Sequence, residues 1–448
     1  MPATRHRPIT VLTPSARLSA ACDLSDAVDR DPRPADAVVS AWLRGRRDLD
    51  DADRGVVLDL LDQILRHRAR LGWWLDRLGH ADTPRARLLV WLSLGEGLAP
   101  DRIARLFAGV KDAPAALTQA EAALLTGVQG ASLADPAMPQ DLRLECPDWA
   151  AGPLRARFGD SFAAEMAALL TPPSRDLRVN TLRATRAGML DRLRALGLSA
   201  TPTRLAPDGI RLRDRVSLAR LDPLRTAEVE IQDEGSQLVA LLVDARPGER
   251  VADFCAGAGG KTLAMATRMA NRGHVAACDV SEGRLKRCAE RVRKAGLHNV
   301  QTQVLTGETD RWIKRRKGTF DRVLVDAPCS GTGTWRRNPD ARWRAPQGNG
   351  LADLVALQAR ILASAARLVK PGGRLVYATC SLLPAENEDQ VAAFLAAHPA
   401  FLRVPIADVA PDLADIATGD DLSLTPARHG TDGFYAAVLT RDSSAGSR

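Results

Sequence analysis

From Arg250 onward, short apolar runs alternate with amphipathic ones: RVADFC, KTLAMATRMA, HVAACDV, EGRLKRCAERVRKAG, VQTQVL, FDRVLVDA, residues 351–369 and GRLVYATC. A strand that is apolar throughout must be covered on both faces, and helices placed between strands do the covering. The alternation therefore predicts a doubly wound α/β sheet with a mainly parallel core. Ligands of such sheets bind beyond the carboxyl ends of the strands, so the residues that follow each strand are the ones to inspect.

The preceding chain reads differently. Between Leu18 and Leu125 apolar residues recur at helical spacing, as in Val56, Leu60, Leu61, Ile64, Leu65 and Leu71, with Pro and Gly between runs. This predicts an all-helical domain over 1–140, ending in the linker GASLADPAMPQ (130–140). His67 and His80 stand alone on helical faces and read as structural, and Trp73, Trp74 and Trp91 read as core. Residues 141–235 mix helical pieces (AAEMAALL, GMLDRLRALGL) with strand-like ones (LRVNTL, GIRLRD), which predicts a small α+β module. The α/β domain then covers 236–448.

Composition enters as exclusion. No uncharged apolar stretch in the 448 residues approaches the roughly 18 needed to span a membrane. The start, MPATRHRPIT, lacks the apolar centre of a secretion signal. The expectation is a cytoplasmic monomer without membrane contact. Seven cysteines without a CxxC give neither a disulfide framework nor a zinc signature, so no metal is expected. Residues 1–150 hold 19 Lys/Arg against 21 Asp/Glu, which leaves 43 against 33 for the remainder of a chain of net charge +8. A polyanion should meet that second part first.

Four strand ends carry chemistry. Asp253-Phe254-Cys255-Ala256-Gly257-Ala258-Gly259-Gly260-Lys261-Thr262 closes one strand and opens a helix, where glycines admit a ligand to the backbone and free N–H groups await it. Cys255 stands where a phosphate-binding P-loop needs its first glycine, and Thr262 where a dinucleotide fingerprint needs its last. Asp279 ends the next strand, 26 residues after Asp253, at the separation of an acid that accepts ribose hydroxyls. Together these point to an adenosyl-type cofactor. The run FDRVLVDAPCSG delivers Asp326 and Cys329 to a third strand end, and YATCS delivers Cys380 to a fourth. Cys278 and Cys288 read as small buried hydrophobes, whereas Cys329 and Cys380 each pass straight from a strand into a polar turn.

The sequences DFCAGAGGKT (253–262), DAPCSGTG (326–333) and TCS (379–381) resemble the RsmB/Nop/Sun family of S-adenosylmethionine-dependent RNA (cytosine-5)-methyltransferases. RVNTL (178–182), QDEGSQL (232–238), RRNPD (336–340), KPGGRLVYATCS (370–381) and TDGF (431–434) extend the likeness over roughly 150–440. Two departures stand out: Gly257 and Ala258 replace the AP of the family's CAAPGGK loop, and Glu308 in LTGETD stands where an aspartate is usual after the third strand. The resemblance implies a class I methyltransferase fold and S-adenosyl-L-methionine held by Cys255, Ala256, Gly257, Ala258, Gly259, Gly260, Lys261, Asp279, Glu308 and Asp326. It gives the nucleophile to Cys380, a hydrogen bond at cytosine N3 to Asp326, and loss of the C5 proton with product release to Cys329. Cytosine C5 is a poor nucleophile until a thiolate adds at C6, which accounts for the first thiol, whereas methylation of an amino group requires none. The helical N-terminal part resembles the NusB-like domain that some bacterial members carry.

RNA, ribosomal rather than transfer, is the expected partner. RWIKRRK (311–317) packs five basic residues into seven, and WRRNPDARWR (335–344) interleaves Arg336, Arg337, Arg342 and Arg344 with Trp335 and Trp343 just after the DAPC turn. The second segment is expected to contact phosphates and stack on a base. Replacement of Gly259 by valine is expected to abolish cofactor binding while sparing the fold. The competing readings are a DNA cytosine methyltransferase, which a site with a single thiol would suit, and a ribosome-assembly factor that acts by binding.

Overall fold

The alternation of apolar strands and amphipathic helices after Arg250 is realised as a single large sheet flanked by helices. The computed structural model describes residues 12–46, 48–213, 221–344, 346 and 348–443, so the start MPATRHRPIT, on which the reading of a missing leader rests, lies outside the described residues. Among them no helix is long and apolar enough to cross a membrane. The chain forms two units, Met1–Gly152 with Asn338–Ala345, and Pro153–Arg337 with Pro346–Arg448.

The first unit is helical. Thr13, Thr83 and Thr118 cap the helices Pro14–Arg30, Pro84–Leu94 and Gln119–Val128, the last through a reciprocal box with Glu121. With the helices Asp51–Arg66 and Arg68–Arg77 they bury Leu24, Leu61, Ile64, Leu71 and Leu89 in one core, with Trp74 and Trp91 buried and Trp73 packed at its margin. His67 stacks on Trp91 at 5.1 Å, and burial pushes its imidazole down to about 3, so it stays neutral as a structural ring.

The segment Asn338–Ala345 belongs to this unit and overturns part of the expected RNA contact. Arg342 is buried and donates to the Glu145 carbonyl (3.0 Å), Trp343 Nε1 donates to the Leu65 carbonyl (3.3 Å), and Arg344 donates to the Pro32 carbonyl (2.7 Å) and pairs with Asp340. These groups satisfy internal acceptors. Interleaved Arg and Trp serve buried pairing as readily as nucleic acid, and periodicity does not separate the two uses.

In the second unit, β1 (Arg175–Val179), β2 (Ala200–Pro202), β3 (Gly209–Leu212) and β4 (Val229–Ile231) make an antiparallel sheet in the order β2-β3-β1-β4. The large sheet contains β5 (Arg250–Asp253), β6 (His274–Asp279), β7 (Val300–Val304), β8 (Phe320–Asp326), β9 (Val369–Thr379), β10 (Phe401–Val404), β11 (Ala417–Thr418), β12 (Asp421–Leu424) and β13 (Phe434–Arg441). Its order is β11-β12-β13-β9-β8-β5-β6-β7 with β10 beside β13. Strands β7, β6, β5, β8 and β9 are parallel, and β13 joins β9 antiparallel. Val323, Leu324, Val325, Leu375, Val376 and Tyr377 are fully buried, as a strand covered on both faces requires. The chain leaves β5 towards β6 and β7, then returns to the other side of β5 as β8, so the strand order reverses there. That reversal opens a crevice at the carboxyl ends of the sheet.

The helix Glu282–Ala295 shows how local sequence sets this scaffold. Ser281 caps its start, Gly296 ends it at φ +75°, and Leu285, Cys288, Val292 and Ala295 form the buried stripe. Its last carbonyls are held by the small sheet's loop: Arg183 donates to Lys294 O and Ala295 O, and Asn180 also donates to Ala295 O.

Candidate active site

β5 delivers Asp253, and the chain then turns through Cys255–Gly259 into the helix Gly260–Arg268. Gly259 is the N-cap at φ +86°, where a Cβ would sit 2.5 Å from the buried Cys288 Sγ. Replacement there disturbs the core, so the expectation that valine at 259 spares the fold is overturned. Gly257, at φ +54°, has nothing within 4 Å of where a Cβ would stand. Its N–H donates to Asp279 Oδ2 (2.8 Å), and Ser281 N–H donates to Oδ1 (2.7 Å), so Asp279 at the end of β6 fastens the loop. A carboxylate has about four acceptor positions, which leaves capacity for hydroxyl donors.

A cavity of about 770 Å³ lies across the ends of β5, β6, β8 and β9. It is lined by Cys255, Ala256, Gly257, Ala258, Gly260, Lys261, Asp279, Glu308, Asp326, Cys329 and Cys380, every residue nominated from the sequence except Gly259. Leu305, Leu357, Ile361 and Phe254 give it an apolar wall. The volume suits a drug-sized ligand.

The cavity wall carries the carboxyl groups of Asp253, Asp279, Glu308 and Asp326 and the cations Lys261 and Arg284. Asp253 is buried; Thr262 Oγ1 donates to its Oδ2 (2.6 Å), while Oδ1 has no partner among the described residues. Burial pushes this carboxyl up to about 7. An ammonium donor in the cavity would satisfy that oxygen and draw its proton off. S-adenosyl-L-methionine, with an α-amino group, a sulfonium charge, ribose hydroxyls and a flat adenine ring, fits these acceptors and the apolar wall. Lys261 Nζ pairs with Asp326 Oδ2 at 2.7 Å; burial favours the neutral amine but is outweighed by Asp326, which holds the ammonium above its usual range. The Glu308 carboxylate lies at the rim, where Arg360 binds it (2.7 Å) and holds it below the usual carboxylate range.

Asp326 pairs with Ala378 across β8 and β9, so the turns that follow start level with each other. Cys329 Sγ and Cys380 Sγ consequently approach to 3.4 Å. The hydrogen bond with Cys380, then burial, push the Cys329 thiol well above its usual range. Cys278 and Cys288 are fully buried, as read.

Arg336 and Arg337, the remaining arginines of the expected RNA contact, are also engaged internally. Arg336 Nε binds Asp432 Oδ1 (2.6 Å), Arg337 Nε binds Asp432 Oδ2 (2.8 Å), and both reach Asp233 Oδ2 at 3.4 and 3.3 Å. Burial, then the neighbouring Asp432 charge, push Asp233 up to about 6. Trp335 is fully buried.

Two groups escaped the sequence reading. Arg291 donates to the Ala258 carbonyl (2.7 Å) and to Glu230 on β4 (2.9 Å), which ties the glycine loop to the small sheet. Glu386, fully buried, gathers the turns that follow β8 and β9. Its one sequence signal is an acid in PAENE, just after the apolar pair that follows TCS.

Residues 240–440 match the 16S rRNA methyltransferase RsmB/F family, and 146–219 match the ferredoxin-like domain of RsmF/B-like methyltransferases. The ribosomal RNA small subunit methyltransferase B of Sodalis glossinidius is 34% identical over 413 residues, 89% of this chain and 92% of that protein. This chain belongs to the RsmB/F methyltransferase family. The RsmB of Yersinia enterocolitica is 31% identical over 88% of this chain and 92% of its own. Among solved structures, PH0851 matches with a TM-score of 0.78 at 24% identity over 96% of this chain and 99% of that one, a likeness of fold. A methyltransferase homologue from Pyrococcus horikoshii matches at 0.57 and 27% identity, over 67% and 97%. The RsmB/F family is S-adenosylmethionine-dependent, which agrees with the glycine loop and carboxylate acceptors in the cavity.

Proposed function

We propose that this protein methylates C5 of a cytosine in ribosomal RNA, with Cys380 as the attacking thiol. What carries the reading is the pair Cys329 and Cys380, 3.4 Å apart in the wall of the cavity that also holds the glycine loop and Asp279. The relatives' names, which specify small-subunit ribosomal RNA, support the substrate.

When bound, S-adenosyl-L-methionine supplies an electrophilic methyl group. Cys255–Ala258, Gly260, Lys261 and Asp279 would hold it, and the Asp253 oxygen without a partner among the described residues would accept from its amino group. The Cys380 thiolate bonds to C6, and the ring electrons move towards C5, which makes that carbon nucleophilic. Asp326 hydrogen-bonds the ring at N3, with the Lys261 ammonium 2.7 Å away as a proton source. Once the Cys380 sulfur is bonded to carbon, the thiol–thiol hydrogen bond that raises Cys329 is gone. Once C5 has taken the methyl group and N3 has returned its proton to Lys261, Cys329 gives up its own proton to solvent more readily, and the resulting thiolate removes the C5 proton as the C6–S bond breaks and Cys380 leaves as thiolate. A DNA methyltransferase with one thiol has no counterpart for that second group.

We assign the four-stranded module within 141–235 to RNA engagement and a NusB-like fold to the helical part within 1–140, on a monomeric cytoplasmic protein. Bisulfite sequencing of cellular RNA with and without the gene tests the activity. One cytosine in small-subunit RNA should lose its protection in the deletion, and an unchanged pattern would exclude the reading.

A further inference from the structure

The turns that carry the two thiols meet at a buried carboxylate. Glu386 ends the short turn Pro384–Glu386 and is 0% exposed. Its Oε1 accepts the Ser330 N–H (2.8 Å) and Gln358 Nε2 (2.9 Å); its Oε2 accepts Ser330 Oγ (2.5 Å) and Ser381 Oγ. Ser330 directly follows Cys329 in the chain, and Ser381 directly follows Cys380. A carboxylate removed from water is costly unless its oxygens are filled with donors, and here the donors come from both thiol-bearing turns and from the helix Leu351–Ala366 that covers them.

We propose that Glu386 is the positioning residue for the thiol pair: it clamps the turns after β8 and β9 so that Cys329 and Cys380 face the cavity at contact distance. The proposal rests on the reading of those thiols as the reacting groups. Other bonds join the same turns further along, including Gly333 N–H to Cys380 O (2.9 Å) and Thr332 Oγ1 with Ser381 Oγ (3.3 Å). Glu386 differs in binding the neighbour of each thiol through one rigid group, so a displacement of either turn is felt by both. Its negative charge also contributes, after the Cys380 hydrogen bond and burial, to keeping Cys329 protonated.

The test compares wild type with E386Q, which keeps the size and removes the charge, and E386A, which removes the acceptors. Diamide takes two electrons and two protons from a thiol pair and leaves a disulfide, so the rate of the Cys329–Cys380 cross-link, counted by peptide mass spectrometry, reports their approach. That rate should fall at least ~5-fold in E386A, because disulfide formation tolerates little displacement. Iodoacetamide alkylation of Cys329 should reach its midpoint at lower pH in E386Q, because a neighbouring negative charge is gone. Methyl-transfer kcat should fall ~10-fold or more in both variants, with the KM for S-adenosylmethionine within about 2-fold, because misplacement of reacting groups affects turnover while the cofactor loop stands on other strands. Cross-linking and alkylation profiles equal to wild type in both variants would overturn the proposal and leave Glu386 a stabiliser of the fold. Should E386A fail to fold by circular dichroism, a cross-linking rate in E386Q equal to that of wild type overturns it alone. Failure of the underlying reading looks different: Cys380→Ala would retain methyl transfer while the cross-linking and alkylation shifts persisted.

Discussion

Gly257 and Gly259 lie two residues apart in one loop, both at positive φ, and the structure predicts different outcomes for the same added methyl group. Alanine at either position takes on left-handed backbone strain of about 1–2 kcal/mol. At Gly257, where nothing lies within 4 Å, that is the whole effect. At Gly259 the new Cβ would stand 2.5 Å from Cys288 Sγ and 3.1 Å from Leu263 Cδ1, both in the core. Overpacking of this kind adds about 1–3 kcal/mol. Gly259→Ala should therefore lose about 2–5 kcal/mol in all, and at roughly 2–4 °C per kcal/mol for a domain this large it should melt about 2–12 °C below Gly257→Ala. Thermal unfolding followed by circular dichroism without cofactor measures the difference. A second change isolates the cause: Cys288→Ala removes the sulfur, so Gly259→Ala/Cys288→Ala should regain much of the packing loss relative to Cys288→Ala alone, while the backbone part persists. Gly257→Ala melting as low as Gly259→Ala, or no recovery in the double variant, would refute the reasoning.

Arg336→Ala should destabilise the fold by about 3–5 kcal/mol, because Asp432 and Asp233 are left buried with one cation fewer, while the salt dependence of RNA binding keeps its slope; a loss of ~0.7–0.9 in that slope would mean a phosphate contact after all. Cys329→Ala should accumulate a protein–RNA adduct that survives denaturing electrophoresis with radiolabelled RNA, and Cys380→Ala should form none; the reverse pattern would exchange the two roles. Asp253, pushed up to about 7 by burial, keeps a proton in the native state that an unfolded aspartate loses near pH ~4. Its contribution to stability is therefore complete below about pH 4 and is lost as pH rises to about 7. Urea unfolding at pH 5 and pH 8 should show Asp253→Asn gaining on wild type at the higher pH, and equal differences at both would mean that Asp253 is already ionised.

The α/β domain was legible because its signals are local. A strand buried on both faces must be apolar along its length, as FDRVLVDA is, and a helix covering it must carry one apolar stripe, as Leu285, Cys288 and Val292 do. Gly257, Asp279, Asp326, Cys329 and Cys380 could be nominated for the same reason, since each ends such a strand or lies in the turn after it, and parallel strands bring their carboxyl ends to one edge. Partnership between distant segments had no such signal. WRRNPDARWR has the composition of an RNA-binding stretch, yet Asp432, Asp233 and the Glu145 and Pro32 carbonyls, far away in sequence, take up its arginines. Lys261 reads as part of a cofactor loop, and only the alignment of β5 with β8 sets it against Asp326. Glu386 looks like a surface acid until the level register of β8 and β9 brings Ser330 and Ser381 to either side of it. The sequence determined which residues stand at the strand ends, because that follows from periodicity along the chain; only the tertiary structure decided which charges meet, because a buried charge is tolerated solely where folding supplies its partner.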